Sequence, residues 1–286
     1  MAVQSTESPP TRSRVSEAVD WTKGLWDDHP KKSLETFGRQ ITMGIEAITE
    51  LFVAIFRRRF PFDEFVRQSA FMASVAAAPT LLVAIPIAVI VSIQVGAVAG
   101  QVGATSFIGA ANGLGIIQQG APLVTALMIA GAVGSAICAD LGSRTIREEI
   151  DAMKVMGVDP LRRLVAPRLG SAMLVSFLLC GFVVFVGFLT GYMFNIFAQG
   201  GTPGSYMSTF ASFAVTRDLA VALLKSVLFG LIASIIACDC GLNARGGPGG
   251  VANAVNSAVV SSTVMLLGVN VAITQIYAAV FPPQVV

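Results

Sequence analysis

Arg144-Thr-Ile-Arg-Glu-Glu-Ile-Asp-Ala-Met-Lys-Val-Met-Gly-Val-Asp-Pro160 places seven charged residues among seventeen positions. On either side the chain falls silent: no Asp, Glu, Lys or Arg occurs from Gln68 to Ala139, or from Leu169 to Thr216. That contrast decides the fold class. The first uncharged run is 72 residues long, where one helix needs roughly 20 to cross a bilayer. A short charged island between two such runs is an element held at a membrane surface. The whole composition agrees, with 54% hydrophobic and 13% charged residues over 286 positions, against about a quarter charged in a soluble domain. Gly and Pro inside the runs are tolerable in lipid only where the backbone stays helical or is covered by neighbours. The chain reads as an all-α polytopic membrane protein.

Upstream, Leu34, Phe37, Ile41, Ile45, Ile48, Phe52 and Ile55 recur in steps of three and four, one helical stripe. Lys31, Lys32, Glu35, Arg39, Glu46 and Glu50 interrupt it, so it cannot span, and Arg57-Arg58-Arg59 follows, where phosphate headgroups attract it. Residues 31–62 are therefore expected to be an amphipathic helix lying in the interface. Residues 1–30 are polar, lack the apolar core of a signal peptide, and read as a disordered cytoplasmic tail.

Residues 63–286 are expected to form a five-helix transmembrane domain. Asp63 should cap the first helix; because 38 residues of helix to Gly100 make about 57 Å, an elbow with bends at Pro79 and Pro86 is expected before a span over Ala76–Gly100. A Gly- and Ala-rich loop (Gln101–Gly115) precedes a second span at Ile116–Leu141. Asp159-Pro160 starts a helix, with Asp159 as N-cap and Pro160 in the first helical position. The third span lies within Leu169–Ala198, the fourth at Leu219–Gly241 and the fifth within Val255–Phe281; Gln199–Gly204 and Asn243–Gly250 are expected to be loops. Ten of the 19 Lys and Arg precede the first span, six lie between Arg144 and Arg168, and Arg245 falls on the same side. The positive-inside rule then puts the N-terminus and the charged island in the cytoplasm and the C-terminus outside, in the plasma (inner) membrane.

The island forms a short amphipathic helix near 144–157 with Ile146, Ile150, Met153 and Gly157 on one face and Glu148, Glu149, Asp151 and Lys154 around the rest. Met offers adaptable apolar contact and the carboxylates suit Arg or Lys of a partner; a solvated connecting loop accounts for the same residues equally well. Enzymatic chemistry has little to work with: His29 is the single histidine, and Cys238-Asp-Cys240 lacks the second half of a zinc site, so no metal centre is expected. The sequence holds no Gly-x-x-x-x-Gly-Lys-Ser/Thr loop for phosphates. Any use of ATP therefore falls to another subunit. The competing reading is a stand-alone ion-coupled transporter, which wants carboxylates inside spans; only Asp140 and Asp239 come close, both at span ends.

Glu148-Glu-Ile-Asp-Ala-Met-Lys-Val-Met-Gly-Val-Asp-Pro-Leu-Arg-Arg-Leu-Val-Ala-Pro-Arg168 closely resembles the signature of the MlaE/YrbE permeases, subunits of ABC transporters that move lipids with MCE proteins. Ala130–Gly142 is similar to that family, and Gly241–Asn256 resembles the actinobacterial, mycobacterial-type YrbE proteins associated with Mce proteins. Similarity extends from about Phe60 to Tyr277. The resemblance implies a non-catalytic permease with an interfacial helix and five spans. Its hairpin helix couples to a cytoplasmic ABC ATPase that binds ATP and Mg²⁺, with Arg147, Glu148, Glu149, Asp151, Met153, Met156, Gly157 and Asp159 as the coupling positions. It implies a second, paralogous permease in a heterodimer, Mce proteins as a conduit, and lipids (fatty acids, sterols or phospholipids) as cargo; nucleic acid is not among the implied partners. The chain departs from the pattern where many relatives carry Arg-Glu-Leu-Gly-Pro, reading Gln118-Gln-Gly-Ala-Pro122, and where Mla-type members carry an Arg near Ala132-Val133.

Within the spans the candidate lipid-path residues are Gln94, Gln118, Gln119, Lys225 and Asn270, with Gln275 a further neutral polar group. The amides can line a cavity or bond across helices. Lys225 is costly at depth, roughly 3 kcal/mol at mid-bilayer; it either snorkels outward or meets an anionic headgroup or carboxylate near the outer leaflet. Gly96 and Gly100, Gly131 and Ser135, and Gly187 and Gly191 repeat small residues at four-residue spacing, which lets helices approach closely.

Overall fold

The computed structural model describes residues 36–54, 56 and 61–280. The chain divides into two units, Met1–Met43 and Gly44–Val286. In the first, residues 36–43 are helical; the expected tail over 1–30 and the basic cluster at 57–59 lie outside the described residues. The second opens with helical residues 44–54 (α1). It continues as α2 Phe62–Gln101, α3 Thr105–Ile146, α4 Glu149–Val155, α5 Leu161–Gln199, α6 Pro203–Phe213, α7 Thr216–Leu242 and α8 Gly247–Val280. Five of these, α2, α3, α5, α7 and α8, are long and apolar enough to cross a membrane.

On α1 the expected stripe is not the buried face. Ala47, Leu51 and Ala54 are buried, while Ile45 and Phe52 remain exposed. The reason is steric: at Gly44 an added Cβ would come within 2.9 Å of Ile235 on α7, and at Gly170 on α5 one would lie 3.5 Å from Leu51. Glycines make the close approach with Leu51 beside them, and Ile45 and Phe52 face outward.

Helix α2 is unbroken for 40 residues, about 60 Å. The helix is not interrupted at Pro79 and Pro86; both prolines sit inside it, where each removes one donor while its fixed φ still fits helical backbone. The first turn holds Asp63 and Glu64, with Pro61 in the cap position. Asp63 therefore compensates the helix dipole and is not the N-cap.

The loop expected over Gln101–Gly115 shrinks to a few residues, because the backbone is helical again from Thr105. The small residues there serve packing: a Cβ at Gly109 would collide with the Tyr206 carbonyl, and one at Gly113 would meet Phe210 at 2.9 Å. Both partners lie on α6, a short helix that begins at the end of the expected Gln199–Gly204 loop and precedes the fourth span. Likewise α8 begins at Gly247, with Pro248 early in its first turn, so the Asn243–Gly250 turn is half the expected length.

Helix α5 is central, packed between α2 and α7, and α3 and α8 close the bundle on α7. Ala84, Ile117, Ala121, Val124, Cys180, Val183, Val186 and Ala222 form a core of small and branched side chains. Buried hydroxyls bond within their own helices, Thr80 to the Ala76 carbonyl at 2.6 Å and Ser176 to that of Ala172 at 2.6 Å. The equally buried hydroxyls of Thr125 and Ser262 have no partner among the described residues.

Candidate coupling hairpin and buried polar clusters

Between α3 and α5 the chain makes a compact hairpin. Glu148 takes a left-handed conformation, φ 60°, uncommon for a residue with a Cβ, and so reverses the chain before α4. Gly157, φ 75°, ends α4 as a left-handed C-terminal residue. Asp159 accepts from the Leu161 backbone N–H at 2.9 Å, which makes it the side-chain cap of α5, with Pro160 following as expected.

Ile150 anchors α4, only 4% exposed, and Ile146 and Met153 are half-buried beside it. Val155 and Met156 stand in the open at 89% and 70%. The apolar tip is thus this pair, and Gly157, expected on the same face as Ile150, is exposed. Val155 was not among the sequence candidates; its place beside Met156, one turn past the anchor, was the available signal. Around the tip, Arg147 pairs with Glu149 at 2.9 Å and Lys154 with Asp151 at 3.0 Å. Glu148 has no ion-pair partner among the described residues.

A groove of about 480 Å³ runs between this hairpin and the α7–α8 turn, lined by Glu148, Asp151 and Lys154 on one wall and Asn243, Arg245 and Gly246 on the other. Beneath it sits a buried charge cluster. Arg168, wholly inaccessible, donates to the Asp140 carboxylate and, at 2.8 Å, to the Leu164 carbonyl. Asp140 also holds Arg144 at 3.2 Å, the i,i+4 pair that opens the charged island. On the neighbouring wall Asn243 donates to the Asp239 carboxylate at 2.9 Å, and the Thr145 hydroxyl bonds the Gly241 carbonyl at 3.2 Å. Hairpin, α3, α5 and α7 are therefore tied at one end of the bundle.

Nearer the opposite end, the lipid-path candidates part company. Lys225 does not snorkel: it is 4% exposed and donates to Thr274 Oγ1 at 2.7 Å, and Thr274 in turn donates to the Asn270 carbonyl. The lysine curls toward α8 because a hydroxyl there meets the ammonium inside the bundle. Gln118 donates to Asp218 at 2.9 Å, Tyr277 donates to the same carboxylate, and Arg217 donates to the Tyr277 hydroxyl at 3.0 Å. Asp218, buried in the first turn of α7, was missed because the fourth span was expected to start one residue later. Gln94 and Gln119 are exposed on the outer surface of their helices and join neither cluster. Outside the spans, Tyr206 on α6 packs among Phe188, Tyr192 and Phe210, and burial pushes its phenol up to about 12.

Residues 65–276 match the family model described as Permease MlaE. The chain belongs to the MlaE permease family. It is accordingly a permease component of an ABC transporter and a multi-pass inner-membrane protein. A probable ABC transporter permease protein of Synechocystis sp. is 30% identical over 236 residues, covering 82% of the permease and 90% of that relative. The intermembrane phospholipid transport system permease protein MlaE of Haemophilus influenzae is 29% identical over 164 residues, 57% of the permease and 63% of the relative. The chloroplastic TRIGALACTOSYLDIACYLGLYCEROL 1 protein of Arabidopsis thaliana is 30% identical over 164 residues, 57% of the permease and 47% of the relative. In the permease, the matched region runs from the start of α2 nearly to the end of α8 and takes in the whole hairpin.

Proposed function

We propose that the permease moves lipids, driven by a separate cytoplasmic ATPase that binds ATP and Mg²⁺ and grips the hairpin. The hairpin and N-terminus face the cytoplasm and the C-terminus faces outward, as the distribution of Lys and Arg favours. The Gly241–Asn256 resemblance supports a YrbE-type subunit working with a paralogous permease and Mce proteins. The observation that carries the reading is the exposed Val155–Met156 tip. Two large apolar side chains, ringed by carboxylates and seated on a buried Ile150, suit an apolar socket with basic edges on a soluble partner. Closure of the ATPase on nucleotide would push this lever, and its ties to α3, α5 and α7 would pass the push into the bundle.

Lys225 is proposed to take the anionic headgroup when cargo displaces Thr274, and transport at the normal rate in Lys225→Ala would remove that contact. The lever is tested by Glu148→Lys with Glu149→Lys. The doubly reversed permease should reach the membrane folded yet lose co-purifying ATPase by about tenfold or more, which is about 1.4 kcal/mol of binding. Recovery of the complex at the wild-type level would refute the assignment.

A further inference from the structure

We infer that the α7–α8 turn, centred on Arg245, is the second wall of the ATPase-binding socket, so that the partner inserts a charged segment between turn and hairpin. The inference rests on the coupling role proposed for the hairpin and goes beyond it, since nothing in that role requires the turn. The groove of about 480 Å³ is bounded in near equal part by the two elements. Its walls are fixed to each other by bonds and packing. Thr145 donates to the Gly241 carbonyl at 3.2 Å, Ala244 is 5% exposed, and a Cβ added at Gly142 on α3 would lie 3.1 Å from Val251 and 3.4 Å from Ala244. A cleft held this firmly is prepared for an occupant and is not a gap that closes by side-chain drift.

The lining specifies that occupant's chemistry. Glu148 and Arg245 lie on opposite walls, and neither has an ion-pair partner among the described residues. Asp151 and Lys154 neutralise each other at 3.0 Å, which leaves the two unpaired charges to read the partner. A segment carrying a basic side chain for Glu148 and an acidic one for Arg245 satisfies both, and the reversed order is repelled. Gly246 and Gly247, φ 89° and 72°, have open space where a Cβ would stand, so the mouth stays clear for backbone to enter.

A photo-crosslinking amino acid placed at position 245, and separately at position 156, tests this in the assembled transporter. Adducts to the ATPase from both positions are expected. An adduct from 156 without one from 245 overturns the second wall and leaves the lever intact. Absence of adducts from both overturns the lever itself, and the second wall with it. In parallel, Arg245→Glu should weaken ATPase retention by about tenfold, while Arg245→Lys retains most of it; equal retention in Arg245→Glu and wild type contradicts the charge assignment.

Discussion

Arg168 is a guanidinium sealed inside a membrane protein, and its two neighbours decide what its loss would cost. Its two terminal nitrogens donate to Asp140 and the Leu164 carbonyl while its Nε has no partner among the described residues, whereas Asp140 is one-third exposed and keeps Arg144 as a second cation. Removing the carboxylate strands a buried positive charge; removing the arginine leaves a carboxylate that is still wetted and paired. Asp140→Asn should therefore destabilise by about 3–5 kcal/mol, the range for breaking a buried pair by deleting one partner, with Arg168→Met costing less. Thermal inactivation of the detergent-solubilised proteins checks the order, and a reversed order would mean that Arg168 matters for shape more than for charge. Asp140 and Arg144 stand four residues apart, a spacing at which helical neighbours meet, but Arg168, 28 residues on from Asp140, could be joined to them only by the fold.

At the scale of elements, the close crossing of α7 over α5 turns on Gly230. A Cβ there would collide with the Ser176 hydroxyl and lie 2.5 Å from the Ala172 carbonyl, so backbone must move. Gly230→Ala should cost about 1–3 kcal/mol as an overpacked site, seen as a lower midpoint of thermal inactivation, whereas Gly181→Ala on the same α5, with open space around it, should be neutral. Of the glycines paired by four-residue spacing in the sequence, Gly187 and Gly191 do meet neighbours, Ile116 and Tyr206, but Gly100 and Gly131 meet none. Spacing shows that a helix can approach closely, not which face is used. The five spans were legible because absence of charge needs no tertiary knowledge. Their ends were not, since Gly109 and Gly113 look like loop until α6 lies against them, and Pro79 and Pro86 look like breaks until a continuous α2 carries both. The hairpin's cap, Asp159, was legible because capping is local; the Val155–Met156 tip needed the reversal at Glu148 to aim it.

The unit Gly44–Val286 is a bundle braced at both ends: charges join α3 and α5 below the hairpin at one, and Asp218 gathers α3, α7 and α8 at the other. Such bracing favours a few rigid arrangements over gradual flexing, which suits a bundle switched by an outside push. The push is the account's central claim. Vesicles containing the permease with the proposed second permease, Mce proteins and ATPase should transfer labelled lipid when ATP and Mg²⁺ are supplied. Vesicles lacking only the ATPase should not, with or without a proton gradient across them. Lipid transfer by the ATPase-free vesicles at the rate of the full complex, driven by the proton gradient, would contradict it.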